Sequence, residues 1–364
     1  MSASAPPVLL RLLRDPGLAA ALPMADWDLA LRQATSANLS PALLALIEER
    51  GLLEALPAAP RAHLEWVRAL AARHRQAVRF EVECIAAALR PTGLPVLLLK
   101  GAAYAMAGLR AGEGRLFADI DILVPKARLD EVESALMLHG WIAGGHDAYD
   151  QRYYREWMHE LPPMQHVRRR TSIDVHHAIL PETAPVRPDP AKLRAAALPI
   201  EAAPGLATLA PCDMVLHSAV HLFFDGEFDK GLRDLLDLHR LFGEFGARPG
   251  FWDTLPARAH ELQLARPLFY ALRYSRRLLG TDVPAAVLDA LAPARPNRRL
   301  LALMDGLFER ALLPMHASCD DALTGSARFA LYLRGNWLRM PPLLLARHLF
   351  HKAFISKKNA PETA

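Results

Sequence analysis

The sequence predicts an α+β protein: a small mixed sheet of about four or five strands, flanked by N-terminal and C-terminal helical regions. Three observations predict it. Towards both ends the apolar residues recur at three- and four-residue spacing, which is the helical period. Between those regions, short apolar runs at 94–99, 120–124 and 172–177 lie between turn residues and read as strands. The composition, 52% hydrophobic and only 23% charged, with much of the apolar content Ala and Leu, belongs to a folded chain rich in helix.

The elements follow in order. From residue 8 to about residue 89 the helical period is carried by Trp27, Leu29, Leu31 and then Leu43, Leu44 and Ile47. Pro23, Pro57 and Pro60 divide this region into several helices, the last expected over 63–89. LPVLLL at 94–99, between Gly93 and Gly101, predicts a buried strand that runs into a turn. A helix is expected over 102–107, broken by Gly108, Gly112 and Gly114, before a second strand at 120–124. An amphipathic helix over 127–138 stops at Gly140. Residues 164–167 and 172–177, joined by the basic turn Arg168, Arg169 and Arg170, predict a hairpin. The stretch 180–210, rich in Pro and Ala, reads as a linker or irregular wrap, after which helical patterning resumes almost to the end. The chain therefore divides into a helical region at 1–90, an α/β core at 91–182 and a helical domain at 183–364, with residues 357–364 frayed.

Charge and cysteine content narrow the function classes. A net charge of +4 and a pI near 9.0 suit a polyanionic small ligand such as a nucleotide. They fall far short of a dedicated nucleic-acid binder, and no basic face interleaved with aromatics is present, so long nucleic acid is not an expected partner. Cys84, Cys212 and Cys319 are odd in number and far apart, which argues against a disulfide framework or a zinc ribbon. A reducing cytoplasm is expected, because the first residues do not pattern as a signal peptide and no window reaches about 18 uncharged apolar residues.

The chemistry concentrates in Asp119-Ile120-Asp121. Alternation along a strand puts both carboxylates on one face and Ile120 on the other. Two like charges that close need either a shared proton or a cation, and hard oxygen ligands favour Mg²⁺ or Mn²⁺ over zinc. Asp174, on a strand that also presents His176 on its face, supplies a third carboxylate if the two strands are neighbours. Three acids around two metal ions is the arrangement that phosphoryl and nucleotidyl transfer requires. Upstream, Lys100-Gly101-Ala102 at a strand-to-helix turn makes a phosphate site, through small residues, free N–H groups and a point charge, and Arg115 adds a second cation.

These residues, LLLKGAAYAMAGLRAGEGRLFADIDILV followed by SIDVHH, resemble the bacterial nucleotidyltransferase-family proteins of the polymerase-β superfamily that carry a KGA…R…DIDLLV…DLH pattern. The resemblance covers residues 94–180, with looser agreement in the helical flanks. The superfamily's usual Gly-Gly or Gly-Ser pair is Gly101-Ala102 here, and the gap to Asp119 is longer. The resemblance implies a nucleotidyltransferase core, with Asp119, Asp121 and Asp174 catalytic and holding two Mg²⁺ or Mn²⁺ ions. It implies that Lys100, Gly101, Ala102, Arg115 and His176 bind the nucleotide, and that Asp174 helps to deprotonate an acceptor hydroxyl. The implied reaction moves a nucleoside monophosphate from a nucleoside triphosphate to an acceptor that the sequence does not identify, with release of pyrophosphate. A non-catalytic nucleotide-binding or interaction module on the same fold is the alternative.

Other features carry a plain reading beside a functional one. His221, Arg233 and Asp237 fall where that family often has a histidine and an Arg…Asp pair, which makes them second-rank site residues. Arg233 and Asp237, four apart, equally describe a helical ion pair, and Arg115 an ion pair with Glu113. His217 and His221 have the spacing of half a zinc site, yet Ser218 stands where HExxH has its glutamate. Arg168–Arg170 reads as a solvated turn. The basic stretch 327–358 is expected to pack as a last helix, with contact to an anionic membrane surface as the alternative.

Overall fold

The computed structural model describes residues 6–144 and 158–341. The N-terminal region is helical, as the period requires. Helices α1 (Val8–Arg14), α2 (Met24–Ser36), α3 (Ser40–Glu49) and α4 (Ala58–Leu89) follow one another, each of the last three with a proline just before it or within its first two residues. Proline is tolerated there because the first N–H groups of a helix have no intrahelical acceptor. α4 begins five residues earlier than the apolar period indicated, because Pro60 sits in its first turn and does not break it.

Among the described residues seven strands form one mixed sheet, in the order β3-β4-β5-β2-β1-β7-β6. They are β1 (Val96–Leu98), β2 (Asp119–Leu123), β3 (Trp141–Ala143), β4 (Met164–His166), β5 (Ser172–His176), β6 (Leu198–Pro199) and β7 (Leu206–Thr208). The expected four or five strands become seven, since three pieces are too short to show a period. β3 has three residues, and β6 and β7 come from the stretch read as a linker. That stretch also holds α7 (Pro190–Ala195), and β7 pairs in parallel with β1, so residues beyond 182 complete the core sheet.

β2 is central, antiparallel to β1 and parallel to β5. Its alternation is the predicted one: Ile120 and Ile122 are buried on one face, as are Ile173 and Val175 of β5. The opposite face carries the acids. α5 (Lys100–Met106) follows β1, and α6 (Leu129–Leu138) crosses from β2 to β3.

The hairpin of β4 and β5 forms, but its turn is not simply solvated. Arg169 reaches the nearly fully buried Glu81 of α4 through two 2.8 Å bonds, and its guanidinium lies 4.9 Å from the Trp141 ring. A buried carboxylate needs such a fork, and only the fold brings α4 to the turn.

From Pro211 to the last described residue every regular element is a helix. α8 (Pro211–Asp225) packs against α9 (Gly231–Gly246), α10 (Phe251–Glu261), α11 (Ala265–Tyr274) and α14 (Thr324–Arg339), with α12 (Ala285–Ala290) and α13 (Arg298–Ala311) completing the helical region. Phe223 of α8 meets Tyr270, Tyr274 and Phe308 at ring separations of 5.2–5.8 Å. Each such ring adds on the order of 2 kcal/mol by burial alone, which fixes α8 against α11 and α13. No helix among the described residues is long and apolar enough to cross a membrane. Of the basic C-terminal stretch, residues 342–364 lie outside the described residues.

Candidate active site

Register assembles the three acids. β2 and β5 pair in parallel with Asp121 directly opposite Asp174 and Asp119 opposite Ser172, so all three carboxylates share one sheet face. Asp119 is the exposed first residue of β2, whereas Asp121 is 7% exposed. Leu99 donates its N–H to the Asp121 carbonyl at 2.9 Å, which puts the next residue, Lys100, beside the acids. Lys100 has φ +45°, a left-handed conformation that a long side chain rarely adopts and that costs on the order of 1–3 kcal/mol. With the turn in that conformation, its ammonium stands 3.6 Å from Asp121 Oδ2.

The two facing carboxylates are shifted in opposite directions. Burial favours the neutral form of Asp121, but Lys100 and a hydrogen bond from His176 outweigh it and hold the carboxyl far below the usual carboxylate range. Asp174 has no such partner. Its Oδ1 is buried without a hydrogen bond, and burial, with Asp121 and Glu160 adding repulsion, raises its carboxyl to about 7. Lys100 stays charged despite burial because Asp121, Glu160 and Asp119 surround it.

His176 lies between two acids. Its Nε2 is 2.9 Å from Asp121 Oδ1 and its Nδ1 is 3.2 Å from Glu160 Oε2. An ionised Asp121 accepts only, so Nε2 carries the proton in that bond. Burial disfavours the imidazolium, yet Glu160 and Asp121 together raise the His176 pKa. His159, with its ring centroid 5.2 Å from that of His176, is driven the other way by burial and the neighbouring positive charges, well below the ordinary value.

The cleft has two lobes that meet at Lys100, Asp119, Asp121, His221 and Asp225. The first, about 270 Å³, extends past Gly101, Arg115, Lys230 and Arg233. The second, about 220 Å³, extends past Asp174, Glu160 and His176 to the apolar Leu180 and Phe224. Ala102 is buried behind Gly101 and does not reach either lobe.

Arg115 is held internally. Its Nε donates to Asp237 Oδ2 at 2.6 Å, its Nη2 is 3.6 Å from Asp234 Oδ1, and the guanidinium lies between the rings of Tyr104 and Phe117. Burial disfavours its charge, and Asp237 and Asp234 more than offset that. A Cβ on Gly101 would stand 2.2 Å from Arg115 Nη1 and 2.7 Å from Phe117, so the absence of a side chain at 101 makes room for this arginine. The ion pairs expected of Arg115 with Glu113 and of Arg233 with Asp237 are replaced by others. Arg233 takes Asp234 through two bonds of 2.9 and 2.6 Å, which leaves Asp237 to Arg115.

Of the second-rank residues, His221 and Arg233 reach the cleft, while Asp237 is buried behind it. His217 is buried, and desolvation lowers its pKa to about 3; among the described residues it does not group with His221 in a cluster of possible metal ligands. Sequence reasoning missed Glu160, His159, Asp225 and Asp234. Glu160 sits in a stretch without periodicity, and only its isolated bridge to His176 places it at the acids.

The donor set fits divalent metal ions: three carboxylates on one face, one of them with an orphaned buried oxygen and a carboxyl raised to about 7 by burial and its acidic neighbours. No curated protein and no solved structure matches the chain. Residues 23–280, which span the acids, the cleft and the helices behind it, match the family described as uncharacterised nucleotidyltransferase, and the chain belongs to that family.

Proposed function

We propose that this protein is a Mg²⁺-dependent nucleotidyltransferase that moves a nucleoside monophosphate from a nucleoside triphosphate to an acceptor hydroxyl, releasing pyrophosphate. One observation carries the reading: Asp174, in register with Asp121, holds a buried oxygen with no partner and a carboxyl raised to about 7. A carboxylate in that position calls for a cation. Asp119, Asp121 and Asp174 would hold two Mg²⁺ or Mn²⁺ ions, which when bound neutralise phosphate charge and favour attack on the α-phosphorus.

The chain's own groups divide the remaining work. Lys100 places a fixed positive charge at the junction of the two lobes, where the triphosphate must cross. Gly101 lets the backbone approach the phosphates, and Arg233 and Lys230 extend the positive wall of the first lobe. His176 holds Asp121 in one orientation through its Nε2 proton. Asp174 lines the second lobe and is the group placed to accept the acceptor's proton. The first lobe is accordingly the nucleotide's and the second the acceptor's.

The test is transfer of label from α-phosphate-labelled nucleoside triphosphates to fractions of a hydroxyl-bearing metabolite extract, with pyrophosphate followed in parallel. Mg²⁺-dependent labelling with equimolar pyrophosphate supports the reading. Nucleotide binding without labelling of any fraction, in a protein that also releases no pyrophosphate, supports a binding module instead.

A further inference from the structure

We infer that His159, Glu160 and His176 form a separate transition-metal site, of the Zn²⁺ class, on the wall of the second lobe. The site uses none of the three acids assigned above and goes beyond the nucleotidyl-transfer reading.

Its geometry comes first. One ligand atom from each residue lies within 4.8 Å of the other two, and the His176 Nδ1 to Glu160 Oε2 separation is 3.2 Å. An ion about 2.1 Å from each of its ligands sets them roughly 3.0–3.5 Å apart, so one edge of the polyhedron is already formed. His159 completes it by closing on the others by about an ångström, within reach of a side-chain rotation. The backbone keeps the three together: Glu160 bridges to His176, and His177 donates its N–H to the His159 carbonyl at 2.8 Å.

The hydrogen bonds leave the right atoms free. Asp121 takes the Nε2 proton of His176, so Nδ1 is the nitrogen that faces Glu160. A histidine that donates one ring N–H to a carboxylate while offering the other nitrogen is oriented as metal-binding histidines are. His159 Nδ1 is buried without a partner, and an unmet polar atom is costly enough to call for one.

Ligand chemistry then selects the ion. Two imidazole nitrogens and one carboxylate suit Zn²⁺ or Co²⁺, whereas the oxygen-only set of Asp119, Asp121 and Asp174 suits Mg²⁺. All three residues line the second lobe, so a coordination position stays open to it. Three protein ligands with an open position can take a water or a polar group of the acceptor. The rival explanation is a protonated His176 that satisfies both carboxylates with no ion.

Metal-free full-length protein is titrated with Zn²⁺ alone in saturating Mg²⁺ by calorimetry. The expected result is one Zn²⁺ per chain, bound at least about tenfold more weakly after His159→Ala and after Glu160→Gln, and unchanged by Asp119→Asn. Thermal melts check that each variant folds, with His159→Gln replacing His159→Ala if needed. Absence of stoichiometric uptake by the native chain overturns the proposal, as does uptake that survives both substitutions or is lost only in Asp119→Asn. Nucleotide binding with Mg²⁺ is read on the same samples, so failure of the zinc site and failure of the transferase reading are distinguished.

Discussion

Two charged clusters lie at the cleft and differ in how their charge is met. Arg115, Arg233, Asp234 and Asp237 balance within themselves: two cations, two anions, and hydrogen bonds of 2.6–2.9 Å between them. Asp119, Asp121 and Asp174 do not: among the described residues Lys100 and His176 are the basic groups that ion-pair with these acids and Glu160, and one buried oxygen stays unmet. A balanced buried cluster holds elements together, here α9 to the loop before β2. An unbalanced one spends stability on a ligand that has yet to arrive, which is why the acids, and not the arginines, mark the reaction centre.

The largest effects should separate the two clusters. Asp174→Asn is expected to lower nucleotidyl transfer by on the order of 100-fold or more while leaving the melting temperature equal or higher, since it removes a repelled buried charge. A variant that loses activity only in proportion to lost folding would put Asp174 with the structural cluster instead. Arg115→Met should do the reverse. It leaves the buried Asp237 without its hydrogen-bonded partner, which costs roughly 3–5 kcal/mol in denaturant unfolding. If nucleotide affinity fell instead and stability held, Arg115 would belong with the phosphate-binding groups that the sequence resemblance implies.

A smaller effect tests the contact between the clusters. Gly101→Ala pushes a methyl group into Arg115 and Phe117 and should cost about 1–3 kcal/mol, with part of the loss recovered when Arg115 is also shortened. Additive costs would mean that the two positions are independent.

The pH dependence sharpens the comparison further. Asp174 has a folded-state pKa raised from 3.8 to about 7, so its contribution to stability is fully present below 3.8 and is lost as pH rises through 7. Metal-free protein should therefore lose stability across that window from this group. Mg²⁺, which competes with the Asp174 proton, should bind more tightly and raise the melting temperature more at pH 8 than at pH 5. A Mg²⁺-induced shift that is equal at both pH values would show that the ion does not displace this proton.

How much of this the sequence made legible follows from the range of each signal. Asp119 and Asp121 are two residues apart on one strand, and Lys100 stands at the end of another, so alternation and local turns were enough to find them. Asp174 needed the pairing of β2 with β5, which the matching apolar runs made reasonable and the register supplied. Glu160 depends on the approach of an irregular segment, and Asp234 on that of a helix distant along the chain from Arg115, and no local pattern carries either. The partners of Arg115 and Arg233 were misplaced for the same reason: helical spacing favours Arg233 with Asp237, but tertiary packing brings a buried arginine that takes Asp237 first. The short strands β3, β6 and β7 escaped because two or three residues show no period, although they widen the sheet that holds β1 and β2 in place.

The most direct test of the central claim is calorimetric binding of the four nucleoside triphosphates with and without Mg²⁺, comparing the native chain with Asp119→Asn/Asp121→Asn. The account predicts Mg²⁺-dependent binding of at least one triphosphate by the native chain and its loss in the folded double variant. Binding that needs no Mg²⁺, or that persists unchanged without the two carboxylates, would contradict it.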